Sequence, residues 1–444
     1  MFEYAWPLTM LIALVCGIFT GYPVAFVLAG VGVVFSVLAD VPMLFLSMGV
    51  QRIYSGTLSN WLLVAIPLFV FMGLMLERSG IAERLMRSLA ALFRGLPGGY
   101  AFAVAIIGVI MAASTGIIGA SVVLLGTMAM PAMREAKYDM KLASGLIASS
   151  GTLGILLPPS IMLIILGDQL RISVGDLFMG AIYPGLLLAG LYFAYLAGVA
   201  VFAPGRMPPP AQVAQPPLGA MIWALVRDLL APLALILSVL GTIVAGVATP
   251  TESAAIGAAG AMVLALISGA LNFPSLRAAL HDTCKTTAMI VFVMIGASIF
   301  SVVFRRLGGD DMIIDFFNIH ESNPYWVLFI VMAIIFALGF FLDWVEITLV
   351  VVPIIAPVIA ALDFGIPQGQ VMIWFAVVLA VNLQTSFLTP PFGYALFYLR
   401  GVAPDLPIST IYRGVAPFVL IQIMALLLVI CFPQIVLNLP MSGR

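Results

Sequence analysis

Two short polar segments interrupt strongly apolar stretches of this 444-residue chain, and each contains a Pro-Pro pair. The first, GTLGILLPPS, covers residues 151–160, and the second, NLQTSFLTPPFG, covers residues 382–393. Glycine and proline interrupt a helix and leave backbone carbonyl groups without their helical partners. Such oxygens suit a hard cation such as Na⁺, and a half-helix that starts after Pro-Pro directs its positive end at an anion. The two segments therefore predict binding of a cation and a carboxylate.

The composition around these segments is that of a membrane protein. Hydrophobic residues make up 63% of the chain and charged residues 8%, whereas soluble domains carry about 25% charged residues. The net charge of −1 argues against nucleic acid as a partner. The three cysteines and two histidines form no metal-ligand motif. A membrane-embedded enzyme would need paired carboxylates or histidine ligands, so the sequence disfavours an enzyme.

Eight apolar runs are long enough to cross a bilayer, which takes about 17–25 residues. We predict them near residues 5–20, 22–40, 57–77, 175–203, 220–247, 250–271, 286–305 and 408–438. Four further runs are interrupted in their middles, namely 98–132, 141–169, 324–361 and 367–400. The first run follows no positively charged segment, so we expect a membrane span there and not a cleaved signal peptide. The Pro-rich segment 203–219 predicts a semi-rigid linker between two comparable halves.

Basic residues between the runs predict the orientation, because short cytoplasmic loops are rich in Lys and Arg. Arg78 and Arg87 follow the third run and mark the cytoplasmic side, which places the N-terminus outside. Basic residues flank the run 98–132 at both ends, so we predict a hairpin that enters and leaves from the cytoplasm. The same count places Arg305 and Arg306 outside, against the rule.

The two halves repeat one pattern, in which an apolar hairpin precedes an interrupted run. The first hairpin turns at STGIIGAS, residues 114–121, and the second at FLDWVE, residues 341–346. The orientation count opens the first to the cytoplasm and the second to the outside, so the repeat is inverted. Paired interruptions in an inverted repeat are typical of a transporter site near the membrane midplane. The alternative, that Pro and Gly only kink membrane helices, accounts less well for two matched breaks than for one.

Several polar residues have both a structural and a functional interpretation. Asp343 and Glu346 lie in the second hairpin turn, where a charge at membrane depth indicates function and a turn at an interface would leave both solvated. Glu252, in the sequence TPTE, fits a capping box better than a ligand contact. Ser173 and Asn323 are likewise predicted to cap the helices that follow them.

Four segments together resemble the large membrane subunit of tripartite ATP-independent periplasmic (TRAP) transporters, the DctM-type permease. They are residues 114–133, 145–170, 248–258 and 382–404. The likeness extends over nearly the whole chain. The sequences LGDQL, RRLGGDD and LQTSFLTPPFG are most similar to the branch described for 2-oxo acids, mannitol or chloroaromatic acids.

This resemblance implies an all-α polytopic membrane protein with the elevator-type ion transporter superfamily fold, in which each half contributes a re-entrant hairpin and a broken helix. It implies sodium-coupled symport of a small organic acid, a C4-dicarboxylate or 2-oxo acid, with sodium ions for coupling and no other cofactor. The implied partners are a small four-helix membrane subunit (DctQ-type), a periplasmic substrate-binding protein and membrane lipid. The implied location is the bacterial inner membrane, with a periplasmic N-terminus. A stand-alone sodium/carboxylate carrier of the same superfamily remains the alternative.

The resemblance also implies which residues bind. Sodium sites would lie where each hairpin tip meets the break of its own half, at Ser114, Thr115, Gly151, Gly154, Leu157 and Pro159 in the first half and Asp343, Ser386, Thr389 and Phe392 in the second. The acid would lie between the breaks, near Thr152, Ser160, Gln384 and Thr385. The outside location of three charged residues predicts docking of the binding protein at Arg305, Arg306 and Asp310.

The same interpretation divides the chain into alternating scaffold and transport segments. We predict scaffold helices over 1–96 and 173–322, the latter including the linker. The transport domain is predicted to comprise 97–172 and 323–401, each with one hairpin and one broken helix. A C-terminal helix is predicted over 402–444.

Overall fold

The computed structural model describes residues 4–93, 96–209, 218–317 and 323–442, and this part of the chain is helical throughout, without strands. The helices of the first half are α1 (Ala5–Phe19), α2 (Val24–Leu38), α3 (Met43–Ile53), α4 (Ala65–Arg78), α5 (Ile81–Leu92), α6 (Gly99–Thr115), α7 (Ile118–Glu135), α8 (Met140–Thr152), α9 (Ile161–Leu170) and α10 (Val174–Phe202). Those of the second half are α11 (Leu218–Val244), α12 (Pro250–Ile267), α13 (Phe273–Arg306), α14 (Gly309–Phe317), α15 (Pro324–Leu338), α16 (Trp344–Glu346), α17 (Val352–Ala361), α18 (Gln368–Leu388), α19 (Tyr394–Val402), α20 (Ile408–Cys431) and α21 (Gln434–Ser442). Short π or 3₁₀ segments lie at Tyr54–Leu58, Trp61–Val64, Leu153–Ile155, Pro204–Arg206 and Ile347–Val351.

Within the described ranges, eight helical segments are long and apolar enough to cross a membrane. They are Trp61–Arg78, Val174–Phe202, Met221–Val244, Pro250–Ile267, Phe273–Arg306, Trp344–Ala361, Gln368–Leu388 and Ile408–Cys431. Large apolar side chains also cover their outer surface, since Leu420 is 67% exposed and Ile267 77% exposed. Helices that are apolar on every face are stable in lipid and not in water. The chain is therefore a multi-pass membrane protein.

Helices of the first half pack against helices of the second half, and these contacts occur in equivalent pairs. Helix α4 of the first half packs along α12 of the second, and α13 of the second packs along α2 of the first. In the same way α8 packs along α20, and α18 packs along α10. Because α2 and α12 hold equivalent places in their halves, as do α8 and α18, the predicted repeat is present in the packing of the helices.

Both predicted hairpins form. In the first, α6 and α7 are joined at Gly116 and Ile117, and the φ of Gly116 is +61°, a conformation that side chains other than glycine rarely adopt. In the second, α15 ends at Leu338 and the return arm begins at Trp344. That arm runs without interruption through α16, the π segment and α17.

Several helices differ from the sequence prediction, and α14 and α21 are among those that were not predicted as separate helices. Helix α13 begins at Phe273 and not near residue 286, because the side chain of Asn272 caps it by accepting a hydrogen bond from Ser275 N at 2.8 Å. Helix α20 ends at Cys431 and not near residue 438, since Pro433 cannot continue it. Helix α3 was not predicted.

The predicted helix caps are confirmed. Thr249 Oγ1 accepts a hydrogen bond from Glu252 N at 3.3 Å, and Glu252 Oε2 accepts one from Thr249 N at 2.8 Å. Ser173 Oγ accepts from Asp176 N at 3.2 Å. Asn323 Oδ1 accepts from Tyr325 N at 2.9 Å. Glu252 therefore serves the helix start, as the capping interpretation expects.

Candidate functional site

The first break separates α8 from α9 in the middle of the apolar core. Helix α8 ends at Thr152, a single 3₁₀ turn follows, and α9 begins at Ile161 after the cis peptide between Pro158 and Pro159. Ser160 lies at the N-cap of α9, but its hydroxyl donates to Ile155 O at 2.8 Å. The break therefore satisfies one of its own free carbonyl groups and leaves the N-terminal N–H groups of α9 without a side-chain cap.

The tip of the first hairpin packs directly on this break. A methyl group added at Gly154 would lie 3.4 Å from Ala112 O, and one added at Gly116 would lie 3.4 Å from Ile161 N. Gly151 lies against the return arm α7. Small residues at these three positions let two backbones approach closely, which brings carbonyl groups of the tip and the break together.

The other residues of the first half that were predicted to bind sodium form two groups. Leu157 and Pro159 are buried in the break, and Leu157 N donates to Leu153 O at 3.0 Å. Ser114 and Thr115 form the last residues of α6, but their side chains lie outside the described residues.

The second break repeats the first. Helix α18 ends at Leu388, Thr389 is extended, and α19 begins at Tyr394 after the cis peptide between Pro390 and Pro391. The second hairpin packs on it, because a methyl group at Gly339 would touch the hydroxyl of Ser386. Each hairpin thus meets the break of its own half, as predicted.

Two hydroxyl groups of the second break donate their protons to the backbone of their own helix. Ser386 Oγ donates to Leu383 O at 2.8 Å, and Thr389 Oγ1 donates to Thr385 O at 2.7 Å. A hydroxyl that donates its proton to a backbone carbonyl still has two lone pairs, which can accept a hydrogen bond or bind a cation. Phe392, the remaining residue predicted for this sodium site, is 45% exposed.

Asp343 and Glu346 cap the first turn of the second hairpin's return arm. Asp343 Oδ1 accepts from Trp344 N at 2.8 Å, and Glu346 Oε2 accepts from Asp343 N at 2.5 Å. Neither carboxylate forms an ion pair with a Lys or Arg in the part of the chain that the structure describes. Both side chains are half-buried, so the two negative charges keep only partial contact with solvent.

The four residues predicted for the acid are fully enclosed, and two of them, Gln384 and Thr152, contact each other. Thr152, Ser160 and Gln384 are 0% exposed, and Thr385 is 1% exposed. Gln384 Nε2 donates to Thr152 Oγ1 at 3.4 Å, a contact between the two breaks across 232 residues of sequence. Thr152 and Thr385 donate their own protons to the backbone, to Ser149 O and Val381 O, both at 2.8 Å. In this conformation the two breaks bind each other, and no side chain of this group is open to a ligand.

A buried polar chain that the sequence did not indicate continues from this contact. Gln422 of α20 is 0% exposed and donates to Tyr192 Oη of α10 at 2.8 Å. The carbonyl oxygens of Gln384 and Gln422 are buried and lack a partner within the described residues. Such groups are costly unless another donor reaches them. Gln384 was already a candidate for the acid site, whereas nothing in the sequence indicated Gln422.

The residues predicted for docking lie at the end of α13 and the start of α14. Arg305 Nη2 donates to Pro353 O at 3.2 Å, and its Nε lies 3.6 Å from Asp310 Oδ2. The guanidinium of Arg306 lies 4.5 Å from the ring centre of Phe45. Arg305 therefore connects α13 to the return arm of the second hairpin.

A polar cavity of about 370 Å³, which the sequence did not predict, lies near Arg305. It is lined in part by Arg52, Arg171 and the pair formed by Asn60 and Asp168, whose Nδ2 and Oδ1 are 2.6 Å apart. The sequence does contain a signal for this cavity. The orientation count places Arg52 and Arg171 outside together with Arg305, against the positive-inside rule.

Comparisons with known proteins give matches over nearly the whole length of this chain. Residues 11–435 match the family described as "Tripartite ATP-independent periplasmic transporter, DctM component". The chain is 30% identical to the sialic acid TRAP transporter large permease protein SiaM of Vibrio cholerae, over 95% of this chain and 96% of that protein. It is 29% identical to the C4-dicarboxylate TRAP transporter large permease protein DctM of Pseudomonas aeruginosa, over 86% and 87% of the two chains. Among solved structures, the YdaH transporter of Alcanivorax borkumensis shares the fold, with a TM-score of 0.58, 16% identity and coverage of 88% of this chain and 89% of that one.

Proposed function

The chain belongs to the DctM family of TRAP transporter large permeases, and from this premise we propose that it imports small organic acids by sodium symport and an elevator movement. The observation that carries the proposal is the meeting of the two breaks through Gln384 and Thr152, each under the hairpin tip of its own half. A paired arrangement of this kind is typical of transporters that bind ion and substrate at the repeat interface.

The charges at the second hairpin support a cation as the coupling ion. Asp343 and Glu346 lie at the tip without a basic partner among the described residues, and a carboxylate at membrane depth needs a compensating charge. The oxygen lone pairs of Ser386 and Thr389 are available in the same break. Carboxylate, hydroxyl and carbonyl oxygens are ligands of hard cations. We therefore propose a sodium site at this tip and a second at the first tip, formed mainly by backbone oxygens around Gly154.

The packing of the helices supports a moving body larger than the one predicted from the sequence. Helix α20 packs along α8 and α10 along α18, so both belong with the broken helices. Two ion pairs join the same elements: Arg134 Nη2 with Asp405 Oδ2 at 2.7 Å, and Arg206 Nε with Asp139 Oδ2 at 2.9 Å. We propose that α6–α10 and α15–α20 move together against a scaffold of α1–α5 and α11–α14. The predicted boundaries at 173 and 402 would then move to include α10 and α20.

The relatives support an acid as the substrate and two partner chains. The names of the two relatives specify sialic acid and C4-dicarboxylate, and both substrates carry a carboxylate. The family name specifies a tripartite periplasmic system, so we propose a small membrane subunit and a periplasmic binding protein as partners. The chain would then lie in the bacterial inner membrane with its N-terminus outside. Membership of the 2-oxo acid branch stays a prediction.

Uptake into proteoliposomes tests this proposal. The chain is reconstituted with the small subunit and the binding protein, and uptake of radiolabelled succinate, pyruvate and N-acetylneuraminate is measured with and without an inward sodium gradient. We expect accumulation of at least one acid only with the gradient and only with the binding protein. Equal uptake without sodium would contradict the coupling, and full uptake without the binding protein would favour the stand-alone carrier.

A further inference from the structure

The polar cavity of about 370 Å³ lies at the end of the molecule that the orientation count places outside. Its walls come from α3 and the π segment after it, the end of α9, the middle of α13 and the return arm of the second hairpin. None of the residues assigned above to sodium or to the acid lines it. Its volume falls in the range of roughly 300–1,000 Å³ that small-molecule sites occupy.

Positive charge in this cavity exceeds negative charge. Arg52 and Arg171 line it, and neither forms an ion pair with any residue of the described ranges. Burial, together with the nearby guanidinium groups of Arg305 and Arg171, lowers the pKa of Arg52 below its ordinary value. The carboxylate of Asp168 is already engaged, because it accepts from Asn60 Nδ2 at 2.6 Å and from Gln169 Nε2 at 3.0 Å. The carboxylate of Asp168 interacts electrostatically with Arg171 and offsets one of the two positive charges, and the remaining positive charge favours an anion.

A hydroxyl group in the cavity wall also lacks a partner. Ser301 lines the cavity, is 9% exposed, and its Oγ forms no hydrogen bond within the described part of the chain. Its neighbour Ser298 differs, because its Oγ donates to Met294 O at 2.8 Å. A buried hydroxyl without a partner loses free energy unless a ligand accepts its proton. Ser301 and the two arginines therefore present donors to the same space.

We propose that this outer cavity is a second carboxylate site, where Arg52, Arg171 and Ser301 hold an organic acid before it reaches the breaks. The proposal rests on the function proposed above. Two planar guanidinium groups suit a carboxylate, since each can donate two parallel hydrogen bonds. The return arm of the second hairpin forms one wall through Leu349 and Pro353, so a movement of the hairpin would change the shape of the site.

Binding in sodium-free buffer tests this site separately from sodium coupling. The full chain is purified in detergent, and binding of radiolabelled succinate and N-acetylneuraminate is measured by scintillation proximity. The variants are Arg52→Gln, Arg171→Gln, Ser301→Ala and the charge-conserving Arg52→Lys. Arg87→Gln is the matched control, because Arg87 lies on α5, which the orientation count places on the cytoplasmic side, has a 71% exposed side chain and pairs with Glu83 at 3.5 Å. Thermal melting confirms that each variant folds.

We expect at least one acid to bind without sodium, and each arginine-to-glutamine change to weaken that binding about tenfold or more. Arg52→Lys should weaken it less, and Arg87→Gln should leave it unchanged. The absence of binding of either acid, or equal binding by the arginine variants, would overturn the proposal. So would variants that bind the acid normally but need more binding protein in the uptake assay, since the arginines would then serve that protein. A failure of sodium coupling in proteoliposomes leaves this binding measurement valid, so the two proposals fail separately.

Discussion

Replacing Gly339 with alanine is expected to disturb the proposed second sodium site through a steric contact alone. The φ and ψ of Gly339 are −64° and −7°, which alanine adopts without strain. The added Cβ would touch Ser386 Oγ and lie 2.9 Å from Ser386 Cβ. Carbon atoms pack best at about 3.5–4.0 Å, so Ser386 or the hairpin must shift by about 0.6 Å or more. Crowding of this kind costs about 1–3 kcal/mol.

If Ser386 Oγ is a sodium ligand, a shift of this size should weaken sodium binding. A loss of about 1.4 kcal/mol would raise the sodium concentration for half-maximal uptake about tenfold. The assay is acid uptake into proteoliposomes over a range of external sodium concentrations at saturating binding protein. Gly369→Ala is the matched control, because an added methyl there meets no atom within 4 Å and should leave sodium activation unchanged.

A double-variant cycle separates loss of the ligand from general disruption. Ser386→Ala removes the hydroxyl, so Gly339→Ala then has no ligand left to displace, although the new methyl still lies 2.9 Å from the retained Cβ. The two changes should therefore be non-additive, and Gly339→Ala with Ser386→Ala should require little more sodium than Ser386→Ala alone. A folded Gly339→Ala protein with wild-type sodium activation would refute the assignment of Ser386. Should Gly339→Ala fail to fold in detergent, Ser386→Ala carries the test alone.

Three further outcomes follow from the structure. Thr389→Ala removes a hydroxyl whose proton already goes to the backbone, so we expect weaker sodium activation with the melting temperature nearly unchanged; unaltered activation would exclude Thr389 as a ligand. Charge reversal of Arg305 and Arg306 should raise the binding-protein concentration for half-maximal uptake at constant sodium activation, and an unchanged value would remove these residues from the docking surface. Thr249→Ala breaks the capping box of α12 and should destabilise the protein by about 1 kcal/mol, measured by thermal melting, whereas a change in sodium activation would contradict a purely structural role of Glu252.

The sequence predicted the fold correctly wherever a feature depends only on residues that are neighbours along the chain. The apolar runs and the two Pro-Pro segments predicted the broken helices, because two consecutive prolines remove two helical N–H donors and disfavour the helical conformation of the residues before them. Caps were predicted correctly from single short sequences, as at Thr249. The start of α13 carries the same kind of signal at Asn272, and the prediction missed it only because the apolar run begins later.

The candidate site was predictable in part. The sequence, through its resemblance to the family, implied that each hairpin tip meets the break of its own half, and Gly154 and Gly339 show those contacts. It did not reveal that Thr152 and Gln384 would be enclosed and hydrogen-bonded to each other, because burial depends on how α8 and α18 pack. The sequence also left Asp343 with two interpretations, a functional charge and a solvated turn residue. The position of its carboxylate beside Trp344 N depends on the geometry of the turn.

The sequence by itself thus determined that this protein spans a membrane, repeats one pattern twice and interrupts it at two matched places. Composition and the residues that interrupt helices act locally, so they can be read along the chain. Only the tertiary structure decided that the breaks meet through Gln384 and Thr152, and that Arg52, Arg171 and Ser301 share one outer cavity. Those contacts join residues more than 100 positions apart, and the packing of helices from both halves brings them together.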